Sequence, residues 1–407
     1  MFRSAVFRLL PVSLLLAACS DSPTSTDTRQ PPAAIVTTDS VAAPAPVAPP
    51  APPRPAPAPD TTYVHNVAAF LAGTAPSQNS PLHALTDAPA YQDFVNKQNQ
   101  SWAKYTSTHT SRMTQWAATE LDSVQRQSPT VFYPFSGPDF LNVVTIFPRS
   151  DTYVLIGLEP VGSVPERRSL ENPRLFPAIQ SALWSVLNFS FFRTNDMAVD
   201  LKSVELDGAV PLIMLFAVRT GHQVLAVRPV RLDASGQLQP ADTTQALGSK
   251  AVAGAEIKLR APDGHPQTVY YFSADLNDWK LNAKSAPLAF VRSLGPLTTY
   301  VKSATYLMHK PYFSKVRDLV LARSNYLLQD DSGIAMKYFP ADEWDFTYYG
   351  TYKRPINLFA KHYQPELTTA YQDSLRRPRL LPFGTGYNWR QTDSNLLLAR
   401  RRTPVAD

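Results

Sequence analysis

The clearest hydrophobic pattern in this chain is helical and covers residues 87–124. The run Ser107-Thr108-His109 interrupts it, so we predict one helix on each side of this polar break. The aromatic stripe along these helices is more typical of core packing than of a ligand platform. Its large apolar residues recur at three- and four-residue steps, the spacing of one helix face; they are Tyr91, Phe94, Val95, Trp102, Tyr105, Met113, Trp116 and Val124.

Further along, β-rich runs flank turn residues, and this arrangement predicts hairpins. The predicted strand pairs are 141–147 with 152–158, 210–218 with 223–232, 256–260 with 268–272, and 325–329 with 334–339. Helical patterns occupy 172–192, 196–204, 298–309, 312–323 and 365–375. A further strand is predicted at 344–349, and a last apolar run at 396–398.

Hairpins are more frequent in this order than strand-helix-strand crossovers. That favours an α+β fold with a mostly antiparallel sheet and paired helices over a doubly wound parallel fold. The order hairpin, two helices, hairpin occurs twice, and from it alone we hypothesise an internal duplication. No linker-like segment follows residue 61, so we predict a single globular domain at 61–407. The repeated order also allows two lobes, at about 61–240 and 241–407.

The N-terminus has a different pattern, a short apolar run behind Arg3 and Arg8. The run ends in Leu-Leu-Leu-Ala-Ala-Cys at 14–19 and is too short for a spanning helix, which needs about 20 apolar residues. A basic start, an apolar stretch and small residues before a cleavage point are typical of an export signal.

The sequence Leu-Ala-Ala-Cys at 16–19 resembles the lipobox of bacterial lipoproteins. The resemblance implies removal of a signal peptide, residues 1–18, and attachment of diacylglycerol and an acyl chain such as palmitate to Cys19. Two or more chains hold a protein firmly at a membrane, whereas one chain does not. Ser20 stands where Asp favours inner-membrane retention in many Gram-negative lipoproteins, so we expect a location in the cell envelope, at the outer membrane.

The segment behind Cys19 has the composition of a linker. Residues 20–60 are rich in Ser, Thr, Ala and Pro, and 43–59 is almost purely Ala and Pro. Such a segment cannot bury apolar surface and populates extended polyproline II. We therefore predict a disordered linker at 19–60 that holds the domain away from the lipid surface.

Composition excludes several kinds of chemistry. Cys19 is the only cysteine in the 407 residues, so its lipidation leaves the domain without a thiol nucleophile, disulfide or thiolate metal site. The sequence contains no phosphate loop, no Gly-x-Ser-x-Gly elbow and no His-x3-His pair, and we expect no cofactor and no metal. The net charge of +6 is a weak basic bias, and nucleic acid is a poor match for an exported lipoprotein.

The first polar cluster is Tyr-Pro-Phe-Ser-Gly-Pro-Asp-Phe at 133–140. Ser136 and Asp139 flank a Gly-Pro turn, which could present a hydroxyl and a carboxylate on one side. A serine nucleophile needs a general base, and no histidine is near in sequence. The alternative is a turn in which Asp139 accepts hydrogen bonds from backbone amides.

The second polar cluster is Gln-Asp-Asp-Ser-Gly at 329–333. Adjacent carboxylates such as Asp330 and Asp331 can bind a hard cation or work as acid and base. Neighbouring residues of a strand point to opposite faces, however, and Asp-Ser-Gly is common in hairpin turns. Both interpretations stay open from the sequence.

Four segments of the chain resemble an uncharacterised family of exported bacterial proteins. The similarity covers nearly all of the predicted domain but implies no activity, cofactor or site. It does indicate that both polar clusters belong to the core pattern of the domain. The segments are Tyr-Pro-Phe-Ser-Gly-Pro-Asp-Phe at 133–140, Tyr-Val-Leu-Ile-Gly-Leu-Glu-Pro-Val-Gly at 153–162, Gln-Asp-Asp-Ser-Gly-Ile at 329–334 and Leu-Pro-Phe-Gly-Thr-Gly-Tyr at 381–387.

We therefore expect a lipid-anchored cell-envelope protein whose domain is a binding or structural module. Its expected partners are the membrane, through the anchor, and an envelope glycan or protein. The alternative is an envelope hydrolase that uses Ser136, Asp139 and the Asp330-Asp331 pair. The two hypotheses differ on whether the two clusters meet in one cleft with a histidine or lysine in reach.

The lipobox predicts that Cys19→Ala abolishes lipidation, because no other thiol can receive the lipid. The variant should incorporate no labelled palmitate and should leave the outer-membrane fraction, whereas Ser20→Ala should keep both properties. Cell fractionation after metabolic labelling measures this. A Cys19→Ala protein that still carries label in the outer membrane would refute lipidation at this residue.

Overall fold

The structure is a computed structural model that describes residues 62–189, 191, 206–241, 251–281, 285–375 and 377–405. The predicted signal peptide, Cys19 and the linker lie outside these residues, as does the helix predicted at 196–204. All described residues belong to one compact unit of the chain, Arg54–Asp407. The domain start at 61 and the option of two lobes stay predictions.

Ten strands form one sheet in the described part of the chain. They are β1 (Thr130–Tyr133), β2 (Thr152–Gly157), β3 (Gln223–Leu232), β4 (Leu238–Pro240), β5 (Val252–Arg260), β6 (Pro266–Ser273), β7 (Leu297–Val301), β8 (Ser324–Gln329), β9 (Trp344–Gly350) and β10 (Asn395–Arg401). Their order is β4-β3-β5-β6-β2-β1-β7-β8-β10-β9. Five of the nine pairings are antiparallel and four are parallel.

Eleven α-helices accompany the sheet within the described residues. They are α1 (Tyr63–Ala72), α2 (Pro89–Tyr105), α3 (Ser111–Glu120), α4 (Asp122–Gln125), α5 (Phe140–Ile146), α6 (Arg167–Leu170), α7 (Leu175–Phe189), α8 (Ala209–Arg219), α9 (Ala286–Ser293), α10 (Ser314–Arg323) and α11 (Pro365–Gln372). A π-helical turn, Thr106–Thr110, joins α2 to α3, and short 3₁₀ helices lie at His83–Asp87, Leu307–His309, Pro311–Phe313, Met336–Tyr338 and Asn357–His362. The α+β class with a mostly antiparallel sheet is confirmed.

Both faces of the sheet centre are covered by helices. Successive strand residues point to opposite faces. Accordingly Val131 and Tyr133 of β1 pack in one hydrophobic cluster with α5, whereas Phe132 packs in a second cluster with α10. All four residues of β1 are therefore buried, as expected for a strand covered on both sides.

The centre of the sheet is parallel, which the prediction from hairpins did not include. Strands β6, β2, β1, β7 and β8 run in the same direction. Helix α5 connects β1 to β2, and α10 connects β7 to β8 on the other side. The two connections leave the neighbouring strands β1 and β7 in opposite directions, which makes the gap between them a topological switch point.

The edges of the sheet are short or partly covered. At one end, β4 has only three residues and finishes with Pro240. At the other end, Arg379 forms a bridge with Tyr349 of β9. Its amide donates to the Tyr348 carbonyl at 2.8 Å, and its carbonyl accepts from the Gly350 amide at 2.9 Å.

Several helices and strands predicted from the hydrophobic pattern are confirmed. Helices α2 and α3 lie on either side of the predicted break, and β5 with β6 forms the predicted hairpin. The segment 223–232 is strand β3, and 325–329 and 344–349 lie in β8 and β9. Helices α7, α10 and α11 occupy the helical patterns that begin near 172, 312 and 365.

Two runs predicted as strands are helices. The segment 141–147 belongs to α5, and 210–218 belongs to α8. All residues of α5 are buried, as are nine of the eleven in α8. A short apolar run buried on all sides has no periodicity that separates a strand from a helix. The predicted hairpin at 141–158 is therefore wrong, and β2 pairs in parallel with β1 instead.

Two further predictions fail for a related reason. The segment 298–309 was predicted as a helix, but it begins as strand β7, whose five residues are all buried. The segment 334–339 was predicted as a strand, but it contains a 3₁₀ turn and makes no hairpin with β8. The elements named for the duplication therefore do not occur in that order, and the duplication itself stays a hypothesis.

In the described residues, no helix combines the length and apolar character needed to cross a lipid bilayer.

Candidate functional site

A cavity of about 510 Å³ opens at the carboxyl edge of the parallel strands. The loops that follow β1, β2, β6 and β7 supply most of its lining, because parallel strands end at the same edge of a sheet. Two of these loops, 135–139 and 302–305, follow β1 and β7, the parallel neighbours whose connections leave in opposite directions at the switch point. Open α/β sheets bind ligands in the crevice at such a point. Topology therefore identifies this cavity as the candidate site.

The same two loops hold strained backbone. Five non-glycine residues of the described chain have positive φ, and four of them lie after β1 or β7: Phe135 (59°), Ser303 (53°), Thr305 (52°) and Tyr306 (52°). Each such residue costs about 1–3 kcal/mol and persists only where its surroundings hold it. Strain of this kind clusters at functional sites, which is a second indication of the site, independent of the cavity.

The segment 330–332, which we call the clamp loop, holds the strained turn after β7. The Asp330 carboxylate accepts a hydrogen bond from the Ser303 amide at 2.9 Å, and the Ser332 hydroxyl accepts one from the Ala304 amide at 2.8 Å. Burial raises the pKa of Asp330. Asp330 is therefore a positioning residue: it does not line the main cavity, but it fixes a loop that does.

Asp331 completes the clamp from the other side. Its carboxylate accepts hydrogen bonds from the Tyr306 hydroxyl and, at 3.0 Å, from the Asn395 side chain. Burial and then the neighbouring charge of Asp330 raise the pKa of Asp331 to about 7. Asp331 borders a second, small cavity of about 10 Å³ and is not among the described residues that line the main one. Ser136 and Asp331, whose meeting in one cleft would favour the hydrolase hypothesis, line different cavities.

Ser136 lines the main cavity, but its hydroxyl is not activated. The hydroxyl donates to the Gly137 carbonyl at 3.0 Å and lies 3.3 Å from the Ile156 carbonyl. A nucleophilic serine needs a base that accepts its proton. In the described residues the only recorded partners of this hydroxyl are backbone carbonyls.

Asp139 and Lys302 form a buried ion pair in the cavity. The Lys302 Nζ lies 3.0 Å from Asp139 Oδ2, and the two side chains are 1% and 4% exposed. Asp139 Oδ2 also accepts from the Tyr133 hydroxyl at 3.0 Å, and Oδ1 caps α5 by accepting from the Asn142 amide at 3.2 Å. The predicted turn with Asp139 bonded to a backbone amide is thus present. The carboxylate additionally ties the loop after β1 to the loop after β7.

Glu159 is a second buried carboxylate of the cavity, 6% exposed. Its side chain lies against Gly137, where an added Cβ would come within 2.9 Å of Oε1. Gly157 likewise leaves no room for a side chain beside the carboxylate. The Tyr271 hydroxyl lies 3.3 Å from Oε2 and donates to the Glu159 carbonyl at 2.9 Å. Burial, then the charge of Glu159, raises the pKa of Tyr271 well above its usual value.

Aromatic rings surround the polar groups. Phe135 and Phe313 meet edge to face at 5.7 Å. At the rim, Trp279 stacks on the cavity residue Tyr312 with centroids 4.9 Å apart and planes 17° apart. Trp279 is 78% exposed, so one face of this pair is available to a ligand.

The four sequence segments 133–140, 153–162, 329–334 and 381–387 contribute to this site or to the loop behind it. The first two supply cavity lining at 133–139 and 157–159. The third contains the clamp loop. The fourth places Tyr387 on the strained turn, where its hydroxyl donates to the Ser303 carbonyl at 2.8 Å. An added Cβ at Gly386 would overlap the Asp330 carboxylate. The polar residues and glycines of the four segments therefore form the cavity lining or contact the strained turn after β7.

Sequence reasoning missed Lys302, Glu159 and Tyr271. Lys302 follows a strand that the pattern assigned to a helix, so its position at a sheet edge was not visible. Glu159 follows a strand that was predicted correctly. A carboxylate directly after a buried strand was a usable signal for it, had the parallel pairing been recognised. In the residues that the structure describes, no three His, Cys, Asp or Glu side chains gather as they would around a metal ion.

Comparisons with known proteins add no assignment. No protein-family model matches this chain, and neither the curated proteins nor the solved structures gave a match.

The Lys302–Asp139 ion pair predicts that removing one of its two charges lowers the free energy of unfolding more than removing both. Lys302→Met should lower the free energy of unfolding by about 3–5 kcal/mol, because Asp139 is left as a buried charge without its cation. The double variant Lys302→Met with Asp139→Asn should recover part of that loss, because no charge is then buried. Chemical denaturation measures both. A double variant as unstable as the single one would contradict the pairing.

Asp331 predicts a pH dependence of stability. Its folded pKa lies above the ordinary value of 3.8, so the folded protein binds a proton that the unfolded chain releases. Its contribution is fully present below about pH 4 and is lost as the pH rises through about 7, by up to about 1.4 kcal/mol per pH unit. Asp331→Asn should remove this slope, whereas the exposed Asp87→Asn should not. If the free energy of unfolding changes with pH in the same way for wild type and for Asp331→Asn between pH 5 and 8, the prediction is wrong.

Proposed function

We propose that this protein is a lipid-anchored envelope protein whose domain binds a ligand from an envelope glycan in the main cavity. The observation that carries the proposal is the position of the cavity at the switch point, between two loops with strained backbone. Its volume of about 510 Å³ lies within the range of about 300–1,000 Å³ that is usual for small-molecule sites.

The lining supports a sugar-containing ligand. Sugar rings present C–H faces that pack on aromatic rings, and hydroxyl groups that bond to carboxylates and amides. The rim offers the stacked pair Trp279 and Tyr312. Nearby, Asp275 and Asn277 also line the cavity and supply polar groups beside the rings. An aromatic surface next to convergent polar groups is the arrangement such a ligand needs.

The predicted location supports the same source of ligand. A lipidated Cys19 and an extended linker would hold the cavity at some distance from the membrane surface, where envelope glycans lie. The anchor and the linker are expectations from the sequence, and the cavity is the only part of this proposal that rests on the described residues.

A hydrolase remains the second candidate. The observation in its favour is that Ser136, Asp139 and Lys302 line the same cavity. Against it, the Ser136 hydroxyl is bonded to carbonyls and Lys302 is paired with Asp139. Asp330 and Asp331, which the original hypothesis included, act on the loop behind the cavity. Binding without turnover is therefore the better supported proposal.

The test uses the full chain in detergent and soluble muropeptides released from purified sacculi by muramidase. We expect measurable binding by calorimetry. Trp279→Ala should weaken it about three- to tenfold, the scale of one aromatic contact of about 0.5–1.5 kcal/mol. Trp184→Ala is the matched control, because Trp184 is also exposed but packs on Phe189, which does not line this cavity, whereas Trp279 stacks on the lining residue Tyr312.

Two outcomes would overturn the proposal. Absence of binding, or equal losses for the two tryptophan variants, would remove the cavity as a glycan site. Cleavage of the muropeptides by wild type but not by Ser136→Ala would favour the hydrolase instead. Chromatography of the recovered ligand distinguishes intact muropeptides from products.

A further inference from the structure

Among the described residues, the lining of the cavity has the opposite charge to the chain as a whole. The chain has a net charge of +6, yet the charged side chains that line the cavity in the described part are three carboxylates and one lysine: Asp139, Glu159, Asp275 and Lys302. Lys302 is already paired with Asp139. Two negative charges therefore remain, one buried and one at the exposed rim. A concave site lined by one sign of charge concentrates ligands of the other sign.

Glu159 is the buried one of the two carboxylates that are not paired with Lys302. Buried carboxylates are ordinarily paired with a cation or fully hydrogen-bonded, because removing a charge from water is costly. Within the described residues, Glu159 has the Tyr271 hydroxyl beside Oε2 and forms no ion pair. Its Oε1 has no recorded hydrogen bond there and lies against Gly137, itself part of the cavity lining. The carboxylate thus retains capacity for a donor that enters from the cavity.

We infer that the ligand of this cavity carries a protonated amino group that pairs with Glu159. The inference rests on the proposed binding function and narrows its ligand class from a glycan fragment to one with a primary ammonium. An ammonium has three donors, so it can reach Glu159 and still donate to neighbouring acceptors.

A small cationic group fits better than a divalent ion. A hard divalent cation takes six or more oxygen ligands, whereas the second buried carboxylate here, Asp139, is already engaged by Lys302, Tyr133 and the α5 cap. The site therefore offers one strong charge contact within an apolar wall.

Two envelope components present this chemistry: an amino-sugar ring with a free amine, and a diamino acid of a peptide stem. The first arm compares glucosamine trimer with its fully N-acetylated form, which has the same rings without the charge. The second arm compares muropeptides with the same muropeptides after acetylation of their amines. Calorimetry on the full chain in detergent measures all four, and the arm that shows the preference identifies the source.

Glu159→Gln tests the residue itself. The variant keeps the shape but loses the charge, so affinity for the preferred amine should fall about tenfold or more, which is about 1.4 kcal/mol or more. Affinity for the acetylated partner should change little. The exposed Glu366→Gln is the matched control and should bind like wild type. If Glu159→Gln does not fold, the comparison of charged and acetylated ligands on wild type still decides the inference.

The outcomes distinguish the ammonium contact at Glu159 from the proposed binding of a glycan ligand. Equal or tighter binding of the acetylated ligands, with Glu159→Gln unchanged, would overturn the ammonium contact and leave glycan binding in place. Failure of all four ligands to bind would overturn both. A preference for the amine that Glu159→Gln does not reduce would assign the charge contact to another residue and would equally overturn the role given to Glu159.

Discussion

The site depends on the buried ion pair between Lys302 and Asp139. These residues follow β7 and β1, the neighbouring strands from which the chain departs in opposite directions. Either charge alone would be costly at this depth, so each requires the other. The pair also orients the first turn of α5 through the cap at Asp139. One contact thereby fixes the two loops and a helix start, and the cavity is the space that they leave.

The clamp loop shows how polar residues outside a cavity determine its shape. Strained backbone after β7 needs acceptors at fixed positions, and Asp330 and Ser332 supply them. Glycine at 386 provides the space for the Asp330 carboxylate. The two acidic residues that looked most like catalytic chemistry in the sequence therefore serve to hold a loop. Both carboxylates are buried and accept hydrogen bonds from the loop or from neighbouring side chains. A pair of adjacent carboxylates in a sequence therefore need not indicate a catalytic or metal site.

The sequence predicted the class of fold and many elements, because amphipathic helices such as α2 and clear hairpins such as β5 with β6 have distinct periodicities. It failed at α5, α8 and β7, since each is buried almost throughout and has no polar face to mark its period. Strand β7 belongs to the parallel centre and α5 is the connection between β1 and β2, so the switch point was missed. Ser136 and Asp139 are close together in the sequence itself, but Lys302 could not be joined to them without that topology.

The shape of the sheet edges has a consequence for copies of the protein at high density. An open edge exposes unpaired backbone groups that can recruit another strand, and this is a common route to aggregation. Here the outer strand β4 is three residues long and contains Pro240, which has no amide hydrogen to donate. At the other end, the segment at Arg379 occupies part of the edge of β9. Neighbouring molecules at high concentration should therefore not add strands readily at either of these two edges.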